Sequence, residues 1–570
     1  MYLFLIFVFL IIEINAVTIS KNWTITQGLR NPDGVYKLVY LINGKFLEEN
    51  LVVDNGDTID LTVTNKLSLE TLSLHFHGID QKTTVYMDGV SYVTQYPIIP
   101  GQSFRYYFDI TQSGTYWIHS HMSSQYSDGL FASLIIRDTN DIYDLTNSQP
   151  LVQGETVIII NDWYHQLSVK QTVMLKDKIF PWYFPSYTNV LWNGQGYFNC
   201  SKYCDQNNQF ETQTQNYNCE TMKYPMFHIK NNVLPLRLRI INAGGGLTLI
   251  FSIDSHSIIV IAVDGVQVEH FTTKRILIYV GQRYDILVYP LRSQIKTFWM
   301  RTNTLDYPIG DTEQSLAILS YDNSTEIPGT TAWSISSKNL SNLETQLVPV
   351  SSVPKIIDLK DVYDVNLNFT CSYTEFSCAI NGVSYKPSFE PIILQQYYEK
   401  EITNPSVIKI PFNRYIRLII NNPLGKSHST HRHMRNFWIL GVGKANDGNY
   451  NGQQLNYINP VYRDTIQVNE HSWMVLLFYN DDIGPITMHC HISVHSESGM
   501  FLIFVNDVKI PAPPNYYPII SNFNDVSKTN GFLDLDKMSI ILLVIIFILI
   551  LGIIMLLLLN RFKRAYERLW

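Results

Sequence analysis

Residues 488–500, MHCHISVHSESGM, constrain what this chain can fold into more than any other stretch. They set one cysteine, three histidines and a methionine at a spacing that a single metal ion cannot use alone. On an extended strand, successive side chains leave on opposite faces, so His489 and His491 share one face and Cys490 takes the other. A thiolate, an imidazole five residues on (His495) and a thioether ten residues on (Met500) make the donor set of a trigonal copper site with a weak axial methionine. The flanking histidines then belong to a second cluster on the opposite side of the strand. The fold must therefore place a metal site on each side of one strand, with Cys490 as the covalent bridge for electrons.

The rest of the chain offers strands to build such a fold. Period-2 alternation recurs between Gly, Asn and Asp turns, as in residues 47–65 (LEENLVVDNGDTIDLTVTN), 235–244 (PLRLRIINAG) and 407–422 (VIKIPFNRYIRLIINN). Helical periodicity is nearly absent before residue 538. This density of short strands predicts an all-β protein of sandwiches or barrels rather than parallel α/β domains. Polar breaks at 138–152 and 321–350 divide the chain into three β-domains, 17–140, 141–325 and 326–508. The stretch 195–224, rich in Asn, Gln and Cys, reads as a surface insertion.

Ten of the 15 histidines fall into four clusters. They are LHFHG (His75, His77), YWIHSHM (His119, His121), HSTHRHM (His428, His431, His433) and the 488–500 motif (His489, His491, His495). An H-x-H pair on a strand aims two imidazoles at one point, which suits Zn, Cu, Ni or Fe. One such pair is more often an incidental neighbour pair. Four in one chain, one of them carrying H-C-H-x3-H-x4-M, are not coincidence. His165, His228, His256, His270 and His471 fit no ligand pattern and read as ordinary core or surface residues.

These four motifs, in this order and over about residues 20–508, resemble the multicopper oxidases, the family of laccases, ascorbate oxidases and ferroxidases. The resemblance implies three cupredoxin-like Greek-key β-sandwich domains and four copper ions. It implies a type 1 copper on His428, Cys490 and His495, with Met500 axial, and a type 2 copper on His75 and His431. It further implies a type 3 pair on His77, His119, His121, His433, His489 and His491. A phenol, an aromatic amine or Fe(II) would give single electrons to the type 1 site. Cys490 and His489 or His491 would pass them to the trinuclear cluster, where O2 becomes water. Asp88, in YMDG, stands where relatives carry an acid that assists proton delivery; by itself it would read as a turn residue. Arg463-Asp464-Thr465 also matches a family segment and is taken as structural.

Several positions depart from the family pattern. Ser429 and Met434 replace a Pro and a Gly of the third motif, Phe76 replaces a Trp, and Tyr96 replaces a common disulfide cysteine. Ser493 stands where some relatives have an acid three residues after the cysteine, with Glu497 as a substitute. The order ectodomain then helix is similar to ferroxidases that work beside an iron permease. Their first substrate acid should fall near 184–187, where this chain reads FPSY, although Asp306 is a counterpart of another. Laccase-type oxidation of phenols is at least as compatible. A copper carrier and an adhesion relative that has lost catalysis are the contrasting readings; the intact ligand set argues against the adhesion relative, and Cys490 between two cluster histidines, arranged for electron transfer rather than exchange, argues against the carrier.

The two ends bound the location. Residues 2–12 are apolar and lead into Ile14, Asn15 and Ala16, so 1–16 read as a secretory signal, with an uncleaved anchor as the alternative. Residues 538–559 are apolar without a charge and long enough to cross about 30 Å of hydrocarbon. Arg561, Lys563, Arg564 and Arg568 follow, so 560–570 read as a cytoplasmic tail and 509–537 as a linker. Five sequons (Asn22, Asn199, Asn323, Asn339, Asn368) precede that helix, as expected of a glycosylated ectodomain. If Cys490 binds metal, five of six cysteines remain; Cys371 with Cys378, and two of Cys200, Cys204 and Cys219, are the candidate disulfides. A net charge of −7 without a basic stripe excludes nucleic acid as a partner.

Overall fold

Alternation in the sequence becomes alternation of burial. In Thr58–Asn65 the residues Ile59, Leu61 and Val63 are buried, while Thr58, Asp60 and Thr62 between them are only partly covered. Ser103–Asp109, its antiparallel neighbour, buries Phe104, Tyr106 and Phe108 in the same rhythm. Each of these side chains contributes roughly 1.5–3 kcal/mol by leaving water, which fixes both register and face. Other strands break the pattern. His428–Arg432 and Ile486–Cys490 are among those buried at every position, so both of their faces are covered.

The structure, a computed structural model, describes residues 16–169, 172, 188–200, 219–220, 222–230, 233–304, 314–333, 346–351, 361–372 and 376–518. Nearly all of the described secondary structure is strand. The apolar segments 2–12 and 538–559, the tail 560–570, most of the linker, and residues 184–187 and Asp306 lie outside the described residues. Among the described residues no helix is long and apolar enough to cross a membrane.

The strands form six sheets, paired along the chain within 18–137, 154–321 and 362–505. One topology repeats three times. In each stretch the first strand runs parallel to a later one, which pairs antiparallel with a third: Thr18–Arg30 beside Thr58–Asn65, Gly154–Trp163 beside Leu236–Asn242, and Val362–Ser372 beside Arg414–Asn422. The companion sheets repeat as well, with a parallel edge followed by antiparallel strands. This repeat explains where the histidines sit. Gly114–Ser120 and Leu74–His77 in the first stretch are the topological equivalents of Ile486–Cys490 and His428–Arg432 in the third. Their equivalents in the middle stretch, Thr297–Thr304 and Leu249–Ile253, carry no histidine.

Up to Asn515 the described residues make one compact unit. Buried ion pairs tie its parts: Arg283 to Asp464, Arg463 to Asp264, and Arg237 and Arg239 to Asp285. Disulfides join Cys371 to Cys378 and Cys200 to Cys219, and Cys490 is free. Cys204 and most of the 195–224 stretch fall outside the described residues.

Candidate metal centre

Strand register sets the histidines opposite one another. Leu74–His77 pairs antiparallel with Gly114–Ser120, placing His75 across from His119. His428–Arg432 lies between Thr465–Val468 and Ile486–Cys490, placing His431 across from both Thr465 and His489, and Thr430 across from Cys490. The 488–500 motif is not one extended strand, however. The strand ends at Cys490, and Ser493–Glu497 forms a short helical turn. Five residues of strand would span about 16 Å. The turn instead folds His495 back until its Nδ1 lies 3.6 Å from Cys490 Sγ.

Two donor clusters result, one on each side of Cys490. On one side, His428 Nδ1 lies 3.7 Å from Cys490 Sγ and 3.1 Å from His495 Nδ1. Met500 is fully buried beside them, its N–H donating to His495 O and its carbonyl accepting the Cys490 N–H, both at 3.0 Å. On the other side, ring nitrogens face each other in pairs: His121 with His489 at 3.3 Å, His433 with His489 at 3.1 Å, His77 with His491 at 3.2 Å, and His75 with His431 at 3.5 Å. His119 lies within the same group. Two imidazoles about 2.05 Å from one ion at a tetrahedral angle have nitrogens about 3.3 Å apart, so these separations suit metal ions shared between rings.

Hydrogen bonds decide which nitrogen faces inward. A carbonyl oxygen only accepts, so the Nδ1 atoms that meet carbonyls carry protons and leave Nε2 as the free lone pair. This holds for His75 on Asp88 O, His119 on Ser120 O, His431 on Asp464 O and His489 on Cys490 O. The Asp88 carboxylate accepts from His433 Nδ1 at 3.0 Å. His77 is turned the other way: Nε2 donates to Asp464 Oδ1, and Nδ1 faces His491. His119 Nε2 is buried without a hydrogen-bond partner among the described residues, as a lone pair kept for a metal would be.

Electrostatics favour metal over protons. Burial, reinforced by neighbouring histidines, holds His77, His119, His121, His428, His431, His433 and His491 neutral far below the usual imidazole range. Burial also depresses His489 and His495 to about 4. The Cys490 thiol is pushed up to about 12 by burial, so a soft cation must displace its proton. Gly89 shows how tightly the Asp88 turn is packed: its φ is +84°, and a Cβ there would lie 1.7 Å from Leu74 O.

Family models described as multicopper oxidase match residues 24–141, 154–324 and 385–509. The chain belongs to the multicopper oxidase family. It is 30% identical over 549 residues to a laccase of Trametes villosa, covering 91% of this chain and 95% of that one. It is 31% identical over 537 residues to a laccase of Cryptococcus neoformans, covering 86% and 81%. Among solved structures, the laccase of Botrytis aclada is 27% identical with a TM-score of 0.75, covering 90% of each chain. Fet3p, a multicopper oxidase that functions in iron import, shares the fold at 24% identity and a TM-score of 0.74, covering 86% of this chain and 90% of that one.

The chain is thus a copper-dependent oxidoreductase with laccase-like activity and O2 as acceptor, and its cofactor is four copper ions, one type 1, one type 2 and two type 3. The residues present fit that cofactor: a buried Cys/His/His trio and eight histidines with converging lone pairs. His165, His228, His256, His270 and His471 fall in none of the described donor groups.

Asp464, taken as structural, stands at the centre. Its backbone oxygen holds His431, its carboxylate holds His77, and the same carboxylate pairs with Arg283. Burial pushes the Asp464 carboxyl above the usual range, against the opposing pull of Arg283. The available signal was its place one residue before Thr465, which the register sets opposite His431. Ser493 carries no acid into this region; Glu497 lines a cavity of about 230 Å³ that also reaches His121, His489 and His491.

Proposed function

We propose that this protein oxidises small reducing substrates of the phenol or aromatic-amine class at a type 1 copper on His428, Cys490, His495 and Met500. The observation that carries it is Cys490, whose sulfur sits with His428 and His495 while its backbone neighbours His489 and His491 belong to the opposite cluster. When bound, the copper ions take up single electrons and reduce O2 to two waters with four electrons and four protons. His75 and His431 hold the type 2 ion under this reading; His77, His119, His121, His433, His489 and His491 hold the type 3 pair.

The chain's own residues define the rest. Cys490 joins the two sites through covalent bonds alone, so electrons need no through-space jump. The cavity of about 230 Å³ that reaches His121 and His489 gives O2 a way to the cluster. Asp88, hydrogen-bonded to His433 and 3.4 Å from His75, orients both rings and is the carboxylate placed to deliver protons. A ferroxidase reading, with an iron permease as partner, rests on the order of ectodomain and apolar C-terminal segment rather than on acidic substrate residues.

The three repeated sheet pairs are taken as domains 17–140, 141–325 and 326–508. Residues 1–16 are taken as a signal and 538–559 as a single membrane span, with the catalytic domains extracellular or luminal. Asn22, Asn323 and Asn368 are exposed, as glycosylation requires, and Asn199 is half-buried. The test is O2 uptake by the copper-loaded protein with a phenol, an aromatic amine, Fe(II), Cu(I) and ascorbate in parallel. Turnover led by the phenol or the amine supports this reading. Turnover confined to Fe(II) replaces it with the ferroxidase, and no uptake with any reductant refutes both.

A further inference from the structure

Asp162, in the middle stretch of the chain, has no role in the site as described so far. It sits at the end of Gly154–Trp163, fully buried. Its Oδ1 accepts the Gly245 N–H at 2.6 Å, and its Oδ2 accepts those of Gly246 at 2.8 Å and Leu247 at 3.0 Å. Asn242 completes the loop, accepting the Gly244 N–H and donating to Leu247 O. Burial pushes the Asp162 carboxyl up to about 6, against the pull of those N–H groups, so it is ionised at neutral pH.

The loop it holds is pressed against the copper-ligand segment. Gly245 O accepts the Ser493 N–H at 2.8 Å. A Cβ on Gly245 would lie 2.2 Å from Ser127 Oγ and 3.2 Å from Ser493 Oγ, so backbone meets backbone here with no side chain between. The Gly245 carbonyl and the Gly246 N–H belong to one peptide unit. A negative charge on the N–H end polarises that unit and strengthens the carbonyl as an acceptor.

Hydrogen bonds anchor segment 490–493 to neighbouring segments. Cys490 N–H donates to Met500 O, and His491 N–H donates to Ser429 O. His491 O accepts from Tyr126 Oη at 2.8 Å, and Ser493 N–H donates to Gly245 O. Only the last leads within one peptide to a carboxylate in this set. Ser493 opens the short helical turn that returns His495 Nδ1 to 3.6 Å from Cys490 Sγ, so a shift of this backbone moves the two donors relative to each other. Ligand geometry around that sulfur tunes a type 1 copper.

We propose that Asp162 is a positioning residue for the type 1 site, acting from the middle sandwich through the Gly245–Gly246 peptide onto the Ser493 N–H. It rests on the reading that His428, Cys490 and His495 hold the type 1 copper. The plainer alternative is that Asp162 only closes its own loop and contributes stability.

A double-mutant cycle on the copper-loaded full chain separates the two. Asp162→Asn removes the charge with little change of shape. Ser493→Pro removes the N–H that receives its effect, and the backbone suits proline: Ser493 opens the helical turn, and Ile492 has φ −70° and ψ 115°. Each single variant is expected to shift the type 1 reduction potential and its electron-spin-resonance splitting, and to slow turnover roughly tenfold or more. The double variant should show no shift beyond the larger single one. Additive shifts overturn the coupling. So does Asp162→Asn with the parent's potential and spectrum, however far its melting temperature moves. If Asp162→Asn does not accumulate, Asp162→Ser, which keeps one acceptor oxygen, is judged by the same outcomes. A parent protein with no type 1 signal would instead refute the ligand assignment and leave the coupling without a site to act on.

Discussion

Removing copper should make this protein acid-labile over a defined window, with a size that follows from its buried histidines. His489 and His495 titrate at about 4 in the fold and at 6.5 when free. An imidazole whose folded pKa is depressed binds fewer protons in the native state, so stability falls as pH drops from 6.5 towards 4. Each of the two contributes about 2 kcal/mol of loss by pH 5 and about 3 kcal/mol by pH 4. The pair alone then removes about 4 kcal/mol by pH 5, a large part of the 5–15 kcal/mol that stabilises a typical domain. Seven more histidines are depressed in the same direction and add to this loss, while the raised carboxyls of Asp162, Asp464 and Asp482 offset part of it. Bound copper opposes the loss, because the lone pairs that protons would take are occupied. Urea unfolding of the chelator-treated and copper-loaded forms at pH 7, 6 and 5 measures it. The apo midpoint should drop steeply while the loaded form changes much less. An apo midpoint that stays level between pH 7 and 5 would refute the claim that these rings are buried and neutral.

Three substitutions probe the site itself. Cys490→Ser should abolish the blue absorption and all turnover while leaving the trinuclear copper spectrum in place; retained turnover would mean electrons take another route. Met500→Leu should raise the type 1 potential without loss of copper, and an unchanged or lower potential would count against a thioether ligand. Asp464→Asn should destabilise the fold by about 3 kcal/mol, because it leaves Arg283 buried without its carboxylate. It should also lower type 2 and type 3 copper occupancy, read by metal analysis and spin resonance, since a neutral amide oxygen is a weaker acceptor than the carboxylate that fixes the His77 tautomer.

Much of this architecture can be read from residue order because its signals are local. Alternation of Ile59, Leu61 and Val63 with polar neighbours specifies a half-buried strand without reference to anything distant. The H-x-H pairs and the H-C-H motif declare metal chemistry by residue type alone. The fold of segment 488–500 was less legible. The five-residue offset from Cys490 to His495 does not reveal that a helical turn, rather than more strand, closes it to 3.6 Å. The contacts of Asp464 were hidden for a similar reason: an Asp between Arg and Thr looks like any turn or edge residue until its neighbours are known.

By itself the sequence singled out the candidate donors and the two-sided demand on Cys490, because these depend on side-chain chemistry and on spacings of a few residues. Only the tertiary structure decided which groups meet. His75 reaches His431 and His77 reaches His491 across the first and third sheet pairs, through nonlocal strand packing that no short window encodes. The same packing brings Asp464 between His77 and His431, and leads Asp162 through one glycine peptide to Ser493. Most of those contacts join residues hundreds of positions apart, and they exist because a shared buried core, rather than any local propensity, sets the strands side by side.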